Sequence, residues 1–230
     1  RMLVLVAVTL GLVAFTHKRN ANRKVKEVKV NFEAGANLFV TAESVDKLLI
    51  QNGKPIEGQY KEILDLKDLE DKLDAHAMIA DADVYMTLDG VVGATVKQRK
   101  PLARVQTKTP FYIDEEGKTM PLSTNYSARV PLVTGVSKEQ VNEIYPLLNY
   151  LQEDNVLATQ VVGISRDKTG DYSLTLRVLN YKVIVGKIEQ LSSKFSNYKA
   201  FYQKAIKDNS LEVYTSIDLR FKGQVVGTKK

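Results

Sequence analysis

Cysteine and tryptophan are absent from the 230 residues, and histidine occurs only twice, at His17 and His76. Without cysteine there can be no disulfide, no thiolate nucleophile and no thiolate metal site. Two histidines leave little from which to build a zinc centre or a histidine-dependent triad. No glycine-rich phosphate loop follows a strand-like segment, and no nucleophile elbow is present. The missing cysteine agrees with an extracytoplasmic bacterial protein, where stray thiols oxidise, without fixing a compartment.

Net charge is also missing from most of the chain. The total of +6 resides in residues 1–29, which hold seven Lys/Arg and one acid, Glu27; residues 30–230 hold 26 basic and 26 acidic side chains. A neutral body has no overall counterion-release drive toward phosphates, so nucleic acid is not an expected partner. A basic collar instead suits an anionic lipid surface.

The collar follows an uncharged, mostly apolar run, residues 2–16, closed by His17-Lys18-Arg19. As a helix at ~1.5 Å per residue the run covers about 22 Å, short of the ~30 Å hydrocarbon core. It reads as a signal peptide or as part of a longer span. Around Gly11-Leu12-Val13-Ala14-Phe15, bulky residues interrupt the small-x-small pattern that cleavage needs, which favours an uncleaved transmembrane anchor over residues 1–16. Six basic residues between Lys18 and Lys29 follow the run and only Arg1 precedes it. Taken alone, that asymmetry places the body in the cytoplasm.

Residues 17–26 read as a basic juxtamembrane linker. Alternation in 27–33 predicts a strand with Val28, Val30 and Phe32 on one face. Thr41 can cap a helix reaching about Gln51, ended by Asn52-Gly53, and Leu66, Leu69 and Leu73 mark a second helix over 66–76. Strands over 79–88 and 91–98 flank Asp89-Gly90, a two-residue hairpin signal. The order β-α-α-β-β defines a small α+β domain, 27–103.

Residues 104–230 read as a mostly antiparallel β domain with flanking helices. Short strands are expected at 103–107, 111–113, 118–122 and 129–134, then a helix over 138–152 that Pro146 should kink or split. Further strands are expected at 157–165, 171–179 and 181–185, a long amphipathic helix at 187–207, and strands at 212–220 and 224–226.

Candidate chemistry is thin. Asp81 and Asp83 share one strand face opposite Ala82 and Val84, as a solvated edge would place them. Asp114-Glu115-Glu116-Gly117 reads as a hairpin turn, and His76 as a residue closing a helix C-terminus. Tyr198, Phe201 and Tyr202 could stack on a ligand but fit a helix's core stripe better. No catalytic residue, cofactor site or metal site is expected. The C-terminal stretch Arg220-Phe221-Lys222-Gly223-Gln224-Val225-Val226-Gly227 admits two readings: an open edge that accepts a partner's strand, or a closing strand guarded by Lys222, Lys229 and Lys230.

In order along the chain, three motifs resemble the bacterial cell-division family FtsQ/DivIB. Val96-Lys97-Gln98-Arg99-Lys100-Pro101-Leu102-Ala103 is similar to the exit of that family's POTRA domain. Phe111-Tyr112-Ile113-Asp114 with Gly117, followed by Val130-Pro131-Leu132-Val133-Thr134-Gly135, looks like the opening of its β domain. Ile217-Asp218-Leu219-Arg220-Phe221 looks like its final strand. Ala77 stands where the family often has proline, and Phe221 where it commonly has tyrosine, which removes any partner contact through that hydroxyl.

The resemblance implies a non-enzymatic divisome scaffold, single-pass in the inner membrane, with a periplasmic body at the division site. It thereby reverses the topology that the local charge count gives. It also implies recruitment of other division proteins through the POTRA domain, with Arg99 and Pro101 at its exit. FtsB, accompanied by FtsL, would be bound along Arg220 to Gly227, and membrane lipids would be met at the anchor. The alternative is a POTRA-type membrane protein that handles unfolded secreted or outer-membrane clients, disfavoured by the lack of a downstream barrel.

Overall fold

The computed structural model describes residues 2, 6, 8–13, 15, 23–33 and 39–230. The described positions between 2 and 15 are helical and exposed. Among the described residues no helix is long and apolar enough to cross a membrane. Much of the expected anchor, and residues 17–22 of the expected linker, lie outside the described residues. The last linker residues are not free, however: Val25 is buried, its N–H donates to the Gln59 carbonyl at 2.8 Å, and Lys24 bridges Tyr60.

The described chain divides into two compact units, residues 1–99 with 124–126, and residues 100–123 with 127–230. The first carries a three-stranded sheet. Strand β1 (Glu27–Phe32) lies parallel to β5 (Val91–Gln98), which pairs antiparallel with β4 (Ile79–Met86) on its other side. Helix α1 (Ala42–Leu48) starts at a capping box, with Thr41 accepting from the Ser44 N–H and Ser44 accepting from the Thr41 N–H. Helix α2 (Leu66–Asp74) starts at Asp65. Val45 of α1 and Leu69 and Leu73 of α2 are buried, as are Ala82, Val84, Val92, Ala94 and Val96 of the sheet. Each fully buried leucine here contributes roughly 1.5–3 kcal/mol by leaving water.

Two local readings change in this unit. Asn52-Gly53 does not simply end a helix. It forms the turn of a tiny hairpin between β2 (Ile50–Gln51) and β3 (Lys54–Pro55), with both residues at positive φ (52° and 72°). The β4–β5 connection is longer than two residues: the Gly90 N–H donates to the Thr87 carbonyl, the Thr87 N–H to the Val91 carbonyl, and Gly90 has φ 96°. Leu88 and Asp89 are therefore the central turn residues, and Gly90 forms the bulge that rejoins the ladder.

The second unit is built on a nine-stranded mixed sheet. Its strands are β6 (Pro101–Val105), β7 (Phe111–Asp114), β8 (Thr119–Pro121), β9 (Leu132–Thr134), β10 (Val161–Arg166), β11 (Tyr172–Leu176), β12 (Lys182–Gly186), β13 (Tyr214–Asp218) and β14 (Val226–Lys229). Their order is 14-13-12-11-10-9-6-7-8, with parallel pairs at β13/β12, β10/β9 and β9/β6 and antiparallel pairs elsewhere. Helices α3 (Val141–Glu153) and α5 (Leu191–Lys207) bury Ile144, Leu147, Leu148, Phe195 and Tyr198 in the same core as sheet residues Val105, Ile113, Ile164, Leu174, Val183 and Ile217.

Pro146 does not split α3. It sits on the exposed side, as does Asn142 four residues earlier, so the carbonyl that loses its helical partner is open to water. Residues 157–160, expected at the start of a strand, belong instead to a short helix α4 (Asn155–Gln160). Asp154 accepts from the Val156 and Leu157 N–H groups, both at 3.1 Å, and also pairs with Lys199 of α5.

Candidate functional site at the C-terminal hairpin

The chain ends in a hairpin, β13 followed by β14, at one margin of the nine-stranded sheet. Strand β13 is paired on both flanks, to β12 and β14, whereas among the described residues β14 is bonded only to β13. The expected partner segment is therefore divided. Arg220, Phe221, Lys222, Gly223, Gln224 and Val225 are not strand but the connection between the two strands; of the expected residues only Val226 and Gly227 lie in the edge strand. The reversal has a local cause. The Gln224 N–H donates to the Phe221 carbonyl at 3.2 Å, and Gly223 takes φ 70°, which suits the third position of such a turn. Val225 packs against the core, while Phe221 is half exposed.

Alternation along β14 gives its two flanks different duties. The Lys230 N–H donates inward to the Val213 carbonyl at 2.9 Å, and Thr228 lies opposite Ser216. Residues one step out of phase, Gly227 and Lys229, therefore turn their N–H and C=O groups away from β13. All four residues of β14 are exposed. The Tyr214 ring covers Gly227 so closely that a Cβ there would come within 2.5 Å of it. Tyr214 in turn meets Phe201 of α5 edge-on at 5.3 Å. Thr228, Lys229 and Tyr214 were absent from the sequence-based site, and the sequence carries no periodic signal that would have placed them there.

Arg220 holds the base of the hairpin. Its Nε donates to Asp218 Oδ1 and Oδ2 at 3.0 and 3.1 Å, Nη2 donates to Oδ2 at 2.6 Å, and its own backbone N–H donates to Oδ1 at 3.0 Å. A further contact, from Nη1 to Asp171 Oδ2 at 3.3 Å, ties the guanidinium to the residue before β11, and Asp171 also pairs with Lys187 at 3.2 Å. Burial alone would raise the Asp218 carboxyl, but the bonds from Arg220 outweigh it and hold the group below its usual range. Gly186 makes room for this arrangement: it has φ 73°, and a Cβ would stand 2.6 Å from Arg220 Cγ.

The other sequence candidates occupy structural positions. Asp81 and Asp83 are exposed on the outer face of β4. Asp114 is buried, and its Oδ1 accepts from the Glu116 and Lys118 N–H groups, closing the β7–β8 turn. His76 Nδ1 accepts from the Met78 N–H at 3.3 Å just beyond α2. Tyr198 is buried with its hydroxyl 3.2 Å from that of Tyr181. The Arg99 N–H donates to the Met78 carbonyl, and Pro101 opens β6 opposite Asp114. Just before them, the important residue proves to be Gln98. Its Oε1 accepts from the Phe39 and Val40 N–H groups at 3.0 and 3.1 Å, and its Nε2 donates to the Val40 carbonyl at 2.9 Å.

Residues 100–228 match the family model described as FtsQ/DivIB, C-terminal related, which accounts for more than half of the chain. The chain belongs to the FtsQ/DivIB family. Residues 23–97 match the model of a POTRA-like domain, and no curated protein matches the chain. The family is one of cell-division proteins, and its two matched regions meet close to the division between the two units.

Proposed function

We propose that the chain is a non-enzymatic scaffold of the divisome that takes a strand of an FtsB-type partner, itself accompanied by an FtsL-type protein, along the outer flank of β14. The observation that carries this reading is the unpaired flank, with the outward N–H and C=O groups of Gly227 and Lys229 at the margin of a sheet that is otherwise continuous. The POTRA-like unit receives other division proteins, and the N-terminal apolar segment holds the body at the inner membrane, on its periplasmic side at the septum. Family membership supports a place in division, the resemblance supplies the FtsB-type partner, and the mode of binding rests on the edge.

Lys229→Pro tests the edge. It removes one outward N–H and leaves the inward bonds of Thr228 and Lys230 intact, as proline on an edge strand permits. Full-length chain in detergent, titrated with a peptide of the partner's strand, is expected to lose binding at least about tenfold, the equivalent of roughly one charge-free hydrogen bond. Its circular dichroism and thermal midpoint stay the same, and Lys229→Ala binds as the parent does. Equal affinity for Lys229→Pro rejects the edge as the docking surface. Deleting 221–230 is a poorer test, because it strips β14 away and uncovers β13 as a new edge.

A further inference from the structure

The turn joining β4 to β5 carries the most exposed large aliphatic side chain among the described residues of its unit, Leu88, at 85% exposure. Single exposed leucines are common on soluble proteins, so the surroundings decide what this one means. They are basic. Arg23 Nη1 donates to the Leu88 carbonyl at 2.6 Å, and Lys61 Nζ donates to the Thr87 and Leu88 carbonyls at 2.9 and 3.2 Å. The Lys26 N–H donates to the Gly90 carbonyl, and the Lys24 carbonyl abuts Gly90. Lys26 and Lys29 also help to draw the Asp89 carboxyl below its usual range, after the dominant effect of its hydrogen bond with Thr87. The cations Arg23, Lys26, Lys29 and Lys61 thus lie around the tip, with the Lys24 ammonium beside it over the Tyr60 ring at 5.2 Å, against the acids Asp89 and Glu27, the latter paired with Lys29 at 3.4 Å.

The same tip is fastened to the start of the unit. Arg23 is seven residues beyond Thr16, the end of the apolar run. Even fully extended, those residues reach only about 25 Å. Leu88 is therefore tethered close to the one strongly apolar stretch of the chain, and it projects from a turn held by Arg23 and Lys61.

We propose that this tip is a membrane-contact surface. Leu88 enters the headgroup region of an anionic bilayer while Arg23, Lys24, Lys26 and Lys29 face lipid phosphates, which fixes the tilt of the POTRA-like unit against the membrane. The chemistry is that of interfacial anchoring, an apolar wedge flanked by cations. The inference rests on residues 2–16 being membrane-embedded, and it holds for either orientation of the body.

The absence of cysteine makes the test direct. Leu88→Cys and Asp81→Cys, the latter on the exposed face of β4 away from the tip, are each labelled with an environment-sensitive fluorophore in the full chain. Both are reconstituted in phosphatidylcholine vesicles with and without phosphatidylglycerol. The label at 88 is expected to shift to the blue and to be quenched by lipids spin-labelled near the headgroup, more strongly with phosphatidylglycerol, while the label at 81 stays water-like. Adding Lys24→Glu and Lys26→Glu is expected to abolish the shift. A water-like label at 88 in a chain that floats with the vesicles overturns the tip contact and leaves the anchor standing. A chain that does not float overturns both.

Discussion

Replacing Gln98 by alanine should loosen the POTRA-like unit at one defined place. The side chain stands at the end of β5, yet its amide engages the segment that leads into α1, taking two N–H donors and supplying one to the Val40 carbonyl. Both recipients are shielded: Val40 is 1% exposed and Phe39 8%. Removing the amide leaves three main-chain groups to find new partners in a region with little water. At about 1 kcal/mol per bond, and with partial recovery because Gln98 itself is only half-buried, the loss is roughly 2 kcal/mol. That corresponds to about thirtyfold faster hydrogen exchange at the Phe39 and Val40 amides, since 1.4 kcal/mol is tenfold. Nuclear magnetic resonance exchange measurements on the full chain read both sites directly. Gln98→Glu keeps the two acceptor contacts but sets a carboxylate oxygen against the Val40 carbonyl in place of the donor, so it should not restore the parent's protection. Exchange in Gln98→Ala within a factor of about three of the parent, at sites this buried, would refute the clamp.

Other perturbations address the hairpin base and the acid limb. Asp218→Ala removes the main partner of Arg220, and with the guanidinium half exposed to solvent the expected loss is about 1–2 kcal/mol in urea denaturation; Arg220 substitution then costs only what its remaining contact with Asp171 contributes. Asp218, Asp154 and Glu143 all have carboxyls held below their ordinary range, in each case because hydrogen bonds from Arg220, Lys199 or Arg166 overcome the upward push of burial. The stability they contribute is present above about pH 4 and is lost as pH falls through their lowered values. Asp218→Asn should flatten that acid limb, and an unaltered limb would remove Asp218 from the account. Gly186→Ala combines a left-handed backbone with a Cβ 2.6 Å from Arg220 Cγ, and should cost roughly 1–3 kcal/mol by thermal denaturation.

Periodicity carried much of the architecture. Val28, Val30 and Phe32, the leucines at 66, 69 and 73, and the alternation through 79–98 lie where their spacing placed them, because each element has one face toward a core and one toward water. Errors arose where two local signals compete. Asn52-Gly53 serves equally as a helix stop and as a hairpin turn, and only the pairing of Ile50 with Pro55 decides between them. Residues 157–160 resemble a strand by composition, but Asp154 supplies a helix cap that outweighs it. At the C-terminus the motif residues Asp218 and Arg220 are legible as a sequence pattern, while their effect is not: it takes the fork of bonds between them, and Gly223 beyond, to turn the chain and move the edge to Val226–Lys229. Gln98 was visible only as one letter of a motif, since its partners lie 58 and 59 residues away.

The brevity of β14 limits what it can hold. Only two of its residues point their main-chain groups outward, so an incoming strand gains at most four backbone bonds, together roughly 2–6 kcal/mol. Immobilising two proteins against each other costs about 4–15 kcal/mol, so this contact alone cannot sustain a lasting complex. A short seam of this kind sets register and direction and leaves residence time to side chains on either flank. A contact fastened in that way is readily reversible.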